Sequence, residues 1–279
     1  DHRDLHSFPT RRSSDLNVLG QQQASVLQAY PVYSATGDAP ANGFGCFQIN
    51  NGKVILGVAG QINYFHQETI IGGYTTDQAG QETTGELEIR DGYTRCNALL
   101  DLGYYNGDTL TAPTPLQPRI TVSGGVLSAY GFIIGFGYRT NQNTRPVMDI
   151  TGGTFLVDDE FRFGDQRGAT ESPIHATINV YSGALIHTST SAGMRMGGTR
   201  STGAANATLN IFGGTVDETT TIQMGRYGST SYVNLNGGLL KTQNLTGDTG
   251  NEYLTFNGGT LQPRAAGYTL NGQIGRAHV

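Results

Sequence analysis

Six of the eleven arginines between residues 17 and 272 recur around one short pattern, apolar-any-apolar-Gly. Arg162 and Arg195 sit inside it, in Phe161-Arg162-Phe163-Gly164 and Met194-Arg195-Met196-Gly197. Arg139, Arg167, Arg200 and Arg226 follow such a pattern by a few residues, with Tyr138 and Tyr227 beside them. Guanidinium forks bind carboxylates and sulfates in two-pronged fashion, and tyrosine rings lie well against sugar faces. If the segments stack, these side chains share one edge, and that edge suits an anionic polysaccharide. Like charges one rung apart repel, so such clustering asks for a reason. The plainer alternative is a solvated face that Asp165 and neighbouring carboxylates balance locally.

The acidic residues offer a second chemistry. Asp158-Asp159-Glu160 is the only acidic triplet, and Asp217 and Glu218 fall near it in register, two coils on. Paired carboxylates on neighbouring coils can serve a glycosidase as acid and base, or hold calcium for a lyase. The separation expected from strand spacing is ~10 Å, at the far end of the range for inverting enzymes. Ordinary turn acids explain the same residues. Lys53 and Lys241 lie far apart, which weighs against a lyase with a basic pair. His175 and His187 lack partners at ligand spacing and are expected to face solvent rather than a metal. Met194, Met196 and Met224 read as core filler. Nucleophile elbows, phosphate loops and dinucleotide fingerprints are absent, so neither cofactor nor metal is expected.

The elements that must position these groups are written as a repeat. Seven times between Leu87 and Leu261 the chain spells apolar-polar-apolar-any-Gly-Gly, or a close variant, as in Leu209-Asn210-Ile211-Phe212-Gly213-Gly214. Asp91 and Ser182 replace the first glycine in two copies, and Ile49-Asn50-Asn51-Gly52 reads as a weaker eighth copy. The anchors at 91, 124, 152, 182, 213, 237 and 258 are 33, 28, 30, 31, 24 and 21 residues apart. Strict alternation is the period of a strand, and repetition at this length marks a solenoid. The outward column Glu88, Thr121, Asp149, Asn179, Asn210, Asn234, Thr255 is suited to amide hydrogen bonds up a stack. The arginine pattern forms a second outward column, Asp101, Ile133, Arg162, Arg195, Gln223. Leu127, Phe155, Leu185, Val216, Leu240 and Leu261 suggest a short third strand between the two. The predicted fold is all-β, a right-handed parallel β-helix of about seven to eight coils stepping ~4.8 Å per rung. Polar insertions at Thr140–Pro146, Gln166–Pro173 and Gly197–Asn206 absorb the length differences, and the prolines of Ala112–Pro118 are expected to interrupt the ladder.

The ends read differently. Residues 1–16 and 273–279 resemble translated sequencing adapter, which divides the chain into 1–16, an irregular segment or atypical first coil at 17–45, the repeats at 46–272, and 273–279. On that expectation the repeats belong to a longer protein. Residues 17–272 carry 13 of the 17 Lys+Arg and 19 of the 22 Asp+Glu, a net charge of −6, which argues against nucleic acid as a partner. No apolar run is long enough for a transmembrane helix. Cys46 and Cys96 are too few for a disulfide framework, though they could pair in an oxidising compartment.

The phrases ATLNIFGGTV (207–216), SYVNLNGGLL (231–240) and EYLTFNGGTLQP (252–263) closely resemble the autotransporter-associated β-strand repeat of bacterial surface proteins. The resemblance implies a passenger-like segment, secreted or attached at the outer membrane, and brings no catalytic residue with it. The expected role is therefore structural and adhesive rather than enzymatic. Matrix or other anionic glycans are the expected partners, along with its own copies stacked end to end. A polysaccharide lyase or glycoside hydrolase on the same scaffold is the alternative. A fibre segment, which would be trimeric, is a third reading.

Overall fold

The computed structural model describes residues 46–49, 52–66, 68–74, 84–105, 116–137, 144–166, 174–198, 205–264 and 270–271. Among these residues every regular element is a strand, and every pairing between strands is parallel. The chain is a parallel β-solenoid. One sheet of eight strands runs Lys53–Leu56, Glu86–Ile89, Arg119–Val122, Val147–Ile150, Ile174–Val180, Ala205–Ile211, Thr230–Leu235 and Asn251–Phe256, each paired with the next. These strands carry the repeat, and most alternate half-buried and buried residues as its period requires.

The other two strands of each coil join a second sheet. After the glycine corner come Thr154–Val157, Ala184–His187, Thr215–Glu218, Leu239–Thr242 and Thr260–Pro263. Beyond the next corner come Phe161–Gln166, Met194–Gly197, Thr221–Arg226 and Asn244–Gly247. In two coils these strands fuse into the long strands Tyr93–Tyr105 and Val126–Gly137, which join the two ladders into one sheet. The short strand expected after each glycine pair is therefore real.

Stacking lines up the core. Val122, Ile150, Val180, Ile211 and Leu235 are register partners and fully buried, with Phe256 partly buried at the end of the file. Each such aliphatic side chain contributes about 1.5–3 kcal/mol by leaving water. Phe132 packs edge-on to both Phe155 and Phe161, which closes the interior between the ladders. Met194, Met196 and Met224 are buried in the same interior. On the outside, Asn179 donates to Asp149, Asn210 to Asn179 and Asn234 to Asn210, each at 2.8 Å, so the expected amide ladder forms across four coils.

The corner explains the tolerance for Asp91 and Ser182. Only the second residue of each glycine pair has a positive φ; at Gly153 it is 63°, and a Cβ there would lie 2.6 Å from the Gly124 carbonyl carbon one coil below. The second position needs glycine for both reasons; the first is spared only the φ requirement, since a Cβ at Gly152 would still lie too close to the Ser123 carbonyl oxygen.

One expectation of the fold needs correction. Ile49 is not in the repeat ladder: Cys46–Ile49 pairs with Glu68–Tyr74, and the eighth copy is Val54-Ile55-Leu56, paired with Leu87-Glu88-Ile89. The alternation there is intact, but Gly57-Val58-Ala59-Gly60 takes the place of the glycine pair. Of the segment 112–118, residues 112–115 lie outside the described residues; after Pro118 the ladder is intact, since Glu86–Ile89 pairs along its full length with Arg119–Val122. On the pairing that the sequence left open, Cys96 is a free thiol buried in the core. Burial pushes its pKa up to about 12, against a smaller lowering by Thr69.

Candidate functional site

The arginine column assembles in register. Asp101, Ile133, Arg162, Arg195 and Gln223 occupy successive rungs of the third strand. Tyr138, Arg139, Arg167 and Arg200 lie outside the described residues. The edge is not uniformly basic or uniformly wet. Asp101 and Ile133 are buried, where the alternation alone placed them facing water.

Arg162 is enclosed by carboxylates. Its Nε donates to Glu160 at 2.6 Å and its Nη1 to Asp165 at 2.9 Å, while Arg195 reaches the same Glu160 at 3.7 Å. Burial opposes the charge on Arg162, but the two carboxylates more than offset this and hold its pKa above the ordinary value. This is the local balancing by Asp165 and its neighbours that the sequence offered as the alternative to an anion-binding face.

Below Arg162 opens a cleft of about 210 Å³. Its lining is Glu68, Asp101, Glu160 and Arg162 together with the apolar Leu99, Ile133, Tyr104 and Phe136, the two aromatic rings stacked at 4.5 Å. Asp101 is 1% exposed; neither of its oxygens meets an N–H or a hydroxyl, and its one hydrogen-bonding neighbour is the Glu68 carboxyl. Burial first, and the facing Glu68 carboxyl second, push its pKa well above the usual carboxylate range, with a smaller opposing pull from Arg162. A hydrogen bond between the two carboxyls requires a proton on one of them, and the direction of the shift favours keeping it on Asp101.

Arg226 and Tyr227 make a different corner. The Nε and Nη1 of Arg226 are buried and without a hydrogen-bond partner. Its guanidinium carbon lies 5.1 Å from the centre of the Tyr227 ring, within cation–π range. Tyr227 has a φ of 51°, the one non-glycine residue with a positive φ among those described. With Gly228 at 77° it forms a tight turn closed by Ser229 N donating to Arg226 O. A tyrosine in this region is strained, and such strain concentrates at working sites.

Of the acids considered for catalysis, Glu160 is taken by Arg162, the Asp159 carboxyl meets the Tyr130 phenol, and the other three are matched to a base. Arg95 holds Asp158 at 2.5 Å, Arg264 and Lys241 hold Asp217, and Glu218 meets His187. His187 is a correction: it is 1% exposed, not solvent-facing. Its Nδ1 lies 2.6 Å from Glu218 Oε2 and its Nε2 lies 2.5 Å from the Asp159 carbonyl oxygen. Both ring nitrogens thus face acceptors, an arrangement that fits the imidazolium. Burial alone would lower its pKa, but Glu218 and then the Asp159 carbonyl raise it above the ordinary value. The other oxygen of Glu218 accepts from Thr220 N and Oγ1. His175 is exposed and lies 3.2 Å from Asn206 Nδ2. Among the described residues no group of three or more His, Cys, Asp or Glu is placed to hold a metal ion, and no helix is long and apolar enough to cross a membrane.

The sequence reading missed the acid-rich cleft and the exposed ring pairs Tyr181–Phe212 and Tyr232–Tyr253, stacked at 5.0 and 4.9 Å. The ring pairs carried a signal, since each holds aromatics at one repeat position in adjacent coils. No family model, no curated protein and no solved structure matches the chain; what places it among known folds is its own architecture, a parallel β-solenoid.

Proposed function

We propose that the chain is a non-enzymatic structural and adhesive segment of an exported bacterial surface protein, and that it contacts anionic glycans through the Arg226–Tyr227 corner. The observation that carries the reading is the guanidinium of Arg226, which two buried nitrogens leave unmatched beside an exposed tyrosine. Arg226 as a whole is half-buried, so an anionic group would meet the guanidinium from its Nη2 side while a sugar ring lies against Tyr227. Arg195, only loosely tied to Glu160, extends the same edge one coil away. The continuous apolar file supports a mechanical role, because each coil is held by its neighbours and none requires a metal. The repeat phrases at 207–263 support surface display. Copies of the chain that associate end to end would continue the same parallel strand pairing.

The lyase or hydrolase alternative needs carboxylates that converge without partners. The pairing of Asp158, Glu160, Asp217 and Glu218 with bases favours the structural reading. Retention on immobilised polygalacturonate or heparin at rising salt tests the proposal. Arg226→Ala should elute at clearly lower salt than the unaltered chain, and Arg162→Ala should change elution little. Equal elution of Arg226→Ala and the unaltered chain, or release of unsaturated uronates on incubation with Ca2+, would overturn it.

A further inference from the structure

The cleft below Arg162 is left unused by that reading, and its chemistry is opposite. Four carboxyls, Glu68, Asp101, Glu160 and Asp165, gather around the single guanidinium of Arg162, and Arg195 touches only Glu160. Acids outnumber bases, so an anionic ligand would meet repulsion. A buried carboxylate without an N–H or hydroxyl donor is costly, and burial beside Glu68 disfavours the charged form of Asp101. A cationic donor would serve the two carboxyls better than a shared proton. A metal ion is a poor fit, because these carboxyls are not grouped as metal ligands. The rest of the lining is apolar and includes the Tyr104–Phe136 stack. A cleft of about 210 Å³ holds one small molecule rather than a chain.

We propose that this cleft binds a primary ammonium group carried on a small ring, an amino sugar of the glucosamine type, with the nitrogen donating to Asp101 and Glu68 and the ring face against the Tyr104–Phe136 wall. The ammonium supplies the hydrogen-bond donors that both oxygens of Asp101 lack. The carboxyl proton leaves to solvent as the ammonium arrives, so charge is conserved and binding releases a proton. Acetylation of the amine removes the charge and abolishes the fit.

Calorimetric titration of the full chain with glucosamine at pH 6.5 tests this, run in two buffers of different ionisation enthalpy so that proton release is read directly. N-acetylglucosamine and cadaverine serve as controls. Glucosamine should bind at one site with release of up to one proton, and N-acetylglucosamine should bind at least tenfold more weakly. Asp101→Asn imitates the protonated side chain and should keep the fold by circular dichroism. It should weaken glucosamine binding at least tenfold and abolish proton release. Equal binding of the acetylated sugar, unchanged binding to Asp101→Asn, or no binding at millimolar glucosamine would overturn the proposal. Binding of cadaverine in preference to glucosamine would refute the ring wall.

Discussion

Replacing Glu218 by alanine should be among the most damaging single changes in the solenoid. Glu218 and His187 occupy adjacent rungs of one ladder, both almost fully buried, with 2.6 Å between Oε2 and Nδ1. Removing one partner of a buried pair leaves the other charged or polar group without compensation, at a cost of about 3–5 kcal/mol. Thr220 also loses its acceptor, but it is half-buried and water can reach it. The pair gives the loss a pH signature. The folded pKa of His187 lies above its unfolded value, so the pair's contribution is complete below the unfolded value near 6.5. It is lost as pH rises through the folded value. Thermal melts from pH 5.5 to 9 should show this decline in the unaltered chain and not in His187→Leu/Glu218→Leu, where an apolar pair fills the space. Because solenoids can unfold coil by coil, hydrogen exchange at residues 184–187 and 215–218 should accompany the melts. A cost for Glu218→Ala below about 1 kcal/mol, against the 3–5 expected for a broken buried pair, would refute this account of the pair, as would identical pH profiles for the two chains.

Two further changes probe the stack itself. Asn210→Ala removes two hydrogen bonds of 2.8 Å from the amide ladder and should cost about 2 kcal/mol in denaturant unfolding, at about 1 kcal/mol per bond. Gly153→Ala forces a side chain into a left-handed corner against the Gly124 backbone and should cost about 2 kcal/mol or more, whereas Ser182→Gly should cost well under 1 kcal/mol.

The alternation of apolar residues made the coils legible because a parallel stack buries the same face on every rung. That single rule placed Val122 through Phe256 in one file and Asn179, Asn210 and Asn234 in another. It failed at the first coil, where Gly57-Val58-Ala59-Gly60 hid the corner and drew attention to Asn51-Gly52 instead. His187 was legible in principle: it stands two residues after the inward Leu185, as Glu218 stands two after Val216, so the period of two puts both inside. The composition of the side chains, polar at an inward position, masked that signal. The burial of Asp101 was not legible, because it depends on Glu68 and Phe136 arriving from neighbouring coils and not on the alternation. The pairing of Arg162 with Glu160 and Asp165 could be suspected from their nearness in the chain. Its outcome needed the third strand's geometry, which points all three the same way.

Distances between spin labels test the stacking most directly. Labels at Glu88→Cys and Thr255→Cys, with Cys46→Ser to leave only the buried Cys96, sit on the same outward column six rungs apart. At ~4.8 Å per rung they should be separated by about 29 Å, and labels at Thr121→Cys and Thr255→Cys, five rungs apart, by about 24 Å. Narrow distributions that grow by one strand spacing per rung are the predicted result. Broad distributions, or distances that do not increase with rung number, would contradict a stack of parallel coils.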